Sequence, residues 1–98
     1  MPVFAVQYTY GNDIEKIEKF RPEHVDFLSE LHATGTLLVS GPWSVPNTGA
    51  LLLIKAEDVD AAKGIMDQDP FARENIVAER SINQWNVFFG FLPGADVE

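Results

Sequence analysis

RPEHVDFLSELHATGTLLVSGP, residues 21–42, is the stretch from which the fold can be read. It runs from a charged start through a helix, a glycine stop and a short strand to a Gly-Pro turn. Pro22 suits the first turn of a helix, where its missing N–H costs nothing. Glu23 and Asp26 put negative charge where the helix dipole favours it. At about 100° per residue, His24, Leu28, Leu31 and Gly35 fall on one line, with Phe27 on one side and Val25 and His32 on the other. Glu23, Asp26, Ser29, Glu30 and Ala33 take the opposite face, and Gly35 follows as a stop. His24 thus stands one turn into the helix, near the middle of its apolar stripe, and is expected to face the sheet or a pocket beside it.

Before this stretch, residues 3–10 read as a strand with Phe4, Val6, Tyr8 and Tyr10 on one face. Gly11, Asn12 and Asp13 carry turn chemistry, and residues 14–20 read as a loop or a short helical turn. After the helix, residues 36–40 read as a second strand. Residues 41–48, GPWSVPNT, read as a loop, and residues 49–55 as a third strand buried on both faces. The two strands make a hairpin with a long tip. Asp58 is placed to cap a second helix over residues 59–67, with Val59, Ala62 and Met66 on one face. Gly64 inside it costs up to ~1 kcal/mol against alanine unless close packing requires it. Asp69-Pro70 ends that helix, because the residue before proline is pushed towards extended geometry. Residues 76–85 read as a fourth strand, and a change of parity along them predicts a bulge or break near Gln84. Residues 86–92 are too apolar to hang in water and are expected to add a strand or cover a partner subunit. Residues 93–98 are expected to fray.

The order β-α-β-β-α-β over 98 residues predicts one domain, residues 1–98, with the split-βαβ arrangement of a ferredoxin-like α+β sandwich. Two helices cover only one face of a four-stranded sheet, yet the strands are apolar on both. A homodimer with its sheets face to face is therefore expected. With antiparallel neighbours, the end of the first strand, the start of the first helix, the end of the second strand and the end of the second helix share one end of the sheet. That topology gathers His24, Arg21, Tyr8, Tyr10, Trp43, Ser44, Asp69 and Phe71.

Composition removes several classes of function. The formal net charge of −8 argues against nucleic acid, which needs a basic footprint, and against an anionic membrane surface. There is no cysteine, hence no disulfide framework and no thiol chemistry. The start, MPVFAVQYTY, lacks the basic and apolar regions of a signal peptide, and no apolar run approaches the roughly 18 residues of a membrane span. A soluble cytoplasmic protein is expected. No Gly-rich phosphate loop or dinucleotide fingerprint is present. Eight helical residues put His24 and His32 roughly 12 Å apart, too far to share a metal. Neither cofactor nor metal is expected.

Each candidate residue has a plain reading beside its chemical one. Imidazole changes charge closest to neutral pH, so His24 is read as a general acid/base, or else as a core histidine with a satisfied hydrogen bond. Asp69 either fixes the His24 tautomer or caps a short helical turn over residues 70–74, and one carboxylate can do both. Arg21 binds a ligand carboxylate or phenolate, or is a surface cation. Trp43 and Phe71 wall an aromatic ligand, or simply pack. Tyr8 points into the pocket or into the dimer core. Ser44 is a nucleophile only if a histidine activates it, and otherwise a loop serine. Trp85 reads as core or interface, and His32 as a histidine suited to the helix C-terminus.

Arg21-Pro22-Glu23-His24 with Leu28, then Gly35, Gly41-Pro42, Gly49, Asp69-Pro70-Phe71 and Trp85 form an ordered set. In that set the chain resembles the YciI-like (YCII-related) family of small dimeric α+β-barrel proteins, from the first strand to Trp85. The resemblance implies a dimeric α+β barrel and a histidine–aspartate pair, here His24 and Asp69. Related dimeric barrels include muconolactone isomerases, and one relative is linked to dehydrochlorination. The longer apolar ending, residues 86–92, departs from the family pattern.

These readings combine into an enzyme that works by acid/base chemistry, without a cofactor, on a small anionic or aromatic-derived metabolite. It would be an isomerase, or a lyase of dehydrochlorinase type. His24 moves the proton, Asp69 orients it and Arg21 holds an anionic group, with Tyr8, Trp43, Ser44 and Phe71 around the substrate. The alternative is a ligand-binding or accessory dimeric module that uses the same pocket without catalysis. A third is a structural partner acting through its Phe-rich ending.

Overall fold

The computed structural model describes residues 1–45 and 48–95. The chain runs β1 (Val3–Tyr10), α1 (Ile14–Ala33), β2 (Leu37–Pro42), β3 (Gly49–Lys55), α2 (Val59–Met66), α3 (Pro70–Arg73) and β4 (Val77–Trp85). The strands form one sheet in the order β2-β3-β1-β4, every neighbouring pair antiparallel. This is the ferredoxin-like arrangement, with α3 a single turn between α2 and β4. Period-2 alternation puts Phe4, Val6 and Tyr8 of β1 beside Ala50, Leu52 and Ile54 of β3. Together with Leu37, Ala62 and Met66 they make the main core. A second cluster, Ile17, Phe71 and Ile76, joins α1 to α3.

The expected barrel is not formed. The sheet is open, with β2 and β4 as its two edges. Four strands cannot curl far enough to pair their own edges, since a side-chain-filled barrel takes about eight. The α+β class and the element order stand; the closure does not.

The first helix starts eight residues earlier than Pro22 suggests. Asp13 is its N-cap, its carboxylate accepting from the Lys16 N–H at 3.1 Å. Pro22 lies inside the helix. An interior proline costs about 3 kcal/mol; the Asp13 cap and the burial of Ile17 against Phe71 and Ile76 offset it. The other end follows the sequence. Gly35 has φ 85°, its N–H donates to the His32 carbonyl, and the Thr36 N–H donates to that of Leu31. These paired bonds to the last turn need a left-handed residue at position 35.

Two bulges interrupt the ladders, at the Leu37/Val39 step of β2 and where Thr9 and Tyr10 face Glu79 and Val77. The irregularity of β4 therefore lies at Ala78 rather than near Gln84, where β4 joins α3. Beyond Trp85 the described residues form no further strand. Phe88, Phe89 and Phe91 are 85%, 96% and 78% exposed. The segment returns towards β2, where a Cβ added to Gly94 would lie 3.0 Å from Leu38 Cδ2. The expectations placed on Pro46, Asn47 and residues 96–98 lie outside the described residues.

Two glycines make opposite predictions. A Cβ on Gly49 would lie 1.9 Å from the Tyr8 carbonyl oxygen, so Gly49→Ala must break the β1–β3 register. Nothing lies within 4 Å of a Cβ at Gly64, so close packing does not require that glycine. In urea unfolding, Gly64→Ala is expected to stabilise by up to ~1 kcal/mol, and Gly49→Ala to be strongly destabilised. A neutral Gly49→Ala would contradict the register.

Candidate functional site

The site starts from α3. Pro70 occupies its first turn and Asp69 its N-cap, where Oδ1 accepts from the Phe71 N–H at 3.0 Å. The same oxygen lies 2.7 Å from Nδ1 of His24, and Oδ2 accepts from the Tyr8 hydroxyl at 2.9 Å. Asp69 is fully buried and His24 is 7% exposed. One carboxylate thus caps α3, holds an imidazole from α1 and takes a phenol from β1. A carboxylate offers about four lone-pair positions, so the roles do not compete. The His24 ring lies parallel to that of Phe71, with centroids 3.9 Å apart. Hydrogen bond and stack together fix the ring in position and rotation.

This geometry sets the tautomer. A carboxylate only accepts, so Nδ1 of His24 carries the hydrogen. In the neutral ring the lone pair then sits on Nε2. No described group bonds Nε2, yet no buried side-chain nitrogen or oxygen among the described residues lacks a partner. Nε2 is therefore open, and His24 lines a cavity of about 520 Å³ between α1 and β2. Arg21, Leu28 and His32 line it from α1, Leu37 and Val39 from β2, and Tyr10 and Leu52 from the sheet.

Burial pushes the Tyr8 phenol well above the ordinary tyrosine value. The neighbouring Asp69 charge and the hydrogen bond to it add to the rise, and Arg80 opposes it. Tyr10 is raised too, by burial and then by Asp69, against Arg21. Tyr8 is thereby kept as a hydrogen-bond donor to Asp69.

The residues gathered by topology divide in three. His24, Asp69, Tyr8 and Phe71 make one buried cluster, but Tyr8 supports Asp69 and Phe71 backs the imidazole; neither lines the cavity. Arg21 does line it, with its guanidinium 2.9 Å from Glu18 in an exposed pair. Trp43 and Ser44 are not among the residues around the cavity; Trp43 sits at the hairpin tip, its indole Nε1 close to Gly49. Sequence reasoning missed the position of His32 in the cavity wall. The signal was its spacing of eight from His24, which keeps both on one helix face. Among the described residues no three His, Asp or Glu side chains gather as a metal site, and no helix is long and apolar enough to cross a membrane.

A family model for the YCII-related domain matches residues 1–86. The chain belongs to the YCII-related family. Protein YciI of Escherichia coli O6:H1 is 26% identical over 88 residues, covering 81% of this chain and 90% of that protein. Protein YciI of Shigella flexneri matches to the same extent. Among solved structures, 5-chloro-2-hydroxyhydroquinone dehydrochlorinase from Burkholderia phenoliruptrix, in complex with 2,5-dihydroxybenzoquinone, superposes with a TM-score of 0.73 at 20% identity. That match covers 86% of this chain and 93% of the dehydrochlorinase, and it shows a common fold. The YCII-related match ends at Asn86, so the exposed phenylalanines lie beyond it.

Two predictions follow from the cluster. Asp69→Ala strands the His24 N–H, the Tyr8 hydroxyl and the α3 cap, and is expected to cost about 3–5 kcal/mol. Asp69→Asn keeps one acceptor oxygen and is expected to fall between Ala and wild type; equal Tm values for wild type and Asp69→Ala would contradict the network. In alkaline titration, neither tyrosine is expected to ionise at the ordinary value of about 10 while the fold persists. A folded-state value raised above the unfolded one gives stability that is full below the ordinary value. That stability is lost as pH climbs towards the folded-state value. Tyrosinate absorbance should therefore rise together with loss of near-ultraviolet circular dichroism; tyrosinate in an intact fold near pH 10 would contradict it.

Proposed function

We propose that the chain is an acid/base enzyme acting on a small anionic or aromatic-derived metabolite bound between α1 and β2. The observation that carries this reading is the 2.7 Å bond between His24 Nδ1 and Asp69, which leaves Nε2 as a base on the cavity wall. His24 Nε2 takes a proton from the substrate. The imidazolium so formed is stabilised by the buried Asp69 carboxylate, and Phe71 prevents the ring from turning. Arg21 holds an anionic group of the substrate one helical turn away. In an isomerase step the same nitrogen returns the proton at another atom. In an elimination, the electron pair left behind forms a new π bond while a leaving group such as chloride departs with its own pair. The family match and the dehydrochlorinase fold support a lyase or isomerase step of this kind. The open sheet face and the exposed phenylalanines further support a homodimer, which sedimentation would read directly.

The test uses 5-chloro-2-hydroxyhydroquinone as substrate and 2,5-dihydroxybenzoquinone as ligand. Wild type is expected to release chloride above the buffer rate. His24→Ala is expected to lose turnover by about 10²-fold or more while still binding the quinone. Arg21→Gln is expected to raise KM more than it lowers kcat. A wild type that binds the quinone without turnover, and an His24→Ala variant of unchanged affinity, would mark a binding module and sink the enzymatic reading.

A further inference from the structure

The cavity has a second polar end. Arg21, His24, Val25, Leu28 and His32 line it from one face of α1, at the i, i+3, i+4, i+7, i+11 spacing of a single helical stripe. Arg21 and His24 stand at one end, about 4.5 Å apart along the axis, and His32 stands about 12 Å beyond His24. Between them the wall is mainly apolar, with Val25 and Leu28 of α1 accompanied by Leu37 of β2 and Leu52 of β3, and with Ser29 of α1 and Ser40 of β2 as the hydroxyl-bearing residues of the lining. A charged end, an apolar middle and a polar far end match an elongated ligand better than a single ring.

His32 is held as firmly as its exposed position allows. Its Nδ1 lies 3.0 Å from the Leu37 carbonyl oxygen, across the turn from α1 to β2. A carbonyl only accepts, so Nδ1 carries the hydrogen and, in the neutral ring, Nε2 carries the lone pair. Two histidines on one helix face are thus set in the same tautomer by two different protein oxygens. Only the first has a carboxylate behind it to stabilise an imidazolium. The second is suited to accepting a hydrogen bond.

We propose, building on the reading of Arg21 and His24 as the reacting end, that His32 determines specificity. It accepts a hydrogen bond from a hydroxyl at the far end of an elongated anionic substrate. Arg21 and His32 stand about 16.5 Å apart along the axis, and with a hydrogen bond of about 2.8 Å at each end the acid group and the hydroxyl lie about 11 Å apart. The cavity volume of about 520 Å³ lies within the ~300–1,000 Å³ usual for small-molecule sites. The substrate class is a hydroxylated, extended acid with an apolar middle.

Three probes test this by calorimetry and by ¹⁵N signals of the two histidines: 4-hydroxybenzoate, biphenyl-4-carboxylate and 4′-hydroxybiphenyl-4-carboxylate. The hydroxylated biphenyl is expected to bind wild type about three- to tenfold more tightly than the plain one, the worth of one hydrogen bond. It should also shift Nε2 of both histidines. His32→Asn keeps an N–H for the Leu37 carbonyl but removes the far acceptor, and is expected to erase the advantage while binding biphenyl-4-carboxylate as before. His32→Gln restores an acceptor and is expected to recover part of it. Equal binding of the two biphenyls by wild type, or an advantage that persists in His32→Asn, overturns the proposal. If only 4-hydroxybenzoate binds and shifts His24 Nε2, the specificity role falls while the acid/base reading stands. If no probe binds, the specificity role falls, and the acid/base reading is decided separately by chloride release in wild type against His24→Ala.

Discussion

A carboxylate buried without partners would cost several kcal/mol, more than most side chains contribute to a small domain. Asp69 is wholly buried, and three donors from three places meet it: the Phe71 N–H, the His24 imidazole and the Tyr8 hydroxyl. Much of the local architecture follows from that need. Pro70 starts the turn that presents the Phe71 N–H, α1 must lie where its mid-helix histidine reaches Oδ1, and β1 must turn Tyr8 inward beneath Oδ2. The packing of three elements and the orientation of the imidazole share one group. The contacts that make the buried charge tolerable also orient the imidazole, so the chain cannot relax one without losing the other.

The element order was legible because its signals are local. The β1 alternation, the glycine stop at Gly35, the Asp58 cap and the Asp69-Pro70 break each speak for a few residues and agree with one another. Signals that imitate one another misled. Pro22 looks like a first-turn proline, and only the Asp13 cap with Ile17 packing shows it to be interior. The closed barrel came from the family resemblance and not from the residues: apolar positions on both faces of the strands report that a face is covered or coverable, not that edges join. The parity change in β4 was real but displaced to Ala78, where the strand leaves α3, because alternation gives the fact of a slip more securely than its place.

At the candidate site, topology placed His24 and Asp69 at one end of the sheet, and the structure brings them into contact. It could not say where loop side chains point. Trp43 and Ser44 share that end but belong to the hairpin tip, because the period-2 rule lapses once a strand ends. Tyr8 and Phe71 reached the cluster by a different route from the one expected, as supports of Asp69 and of the imidazole ring. The acidity of the whole chain also says little about the cavity, where Arg21 supplies a cation. Its exposed pair with Glu18 is worth at most about 1 kcal/mol, so that pair holds the guanidinium only weakly.

The sequence distances within the Asp69 cluster carry a kinetic consequence. His24 and Asp69 are 45 residues apart, and Tyr8 and Asp69 are 61 apart. β1, at the centre of the sheet, pairs with β4 from the opposite end of the chain. Closing such long loops is entropically expensive and is compensated only when the whole sheet docks. No hairpin or single helix of this chain can hold the imidazole in place by itself. The His24–Asp69 contact therefore comes into being late in folding and all at once, and a partly folded chain has the histidine without its carboxylate partner.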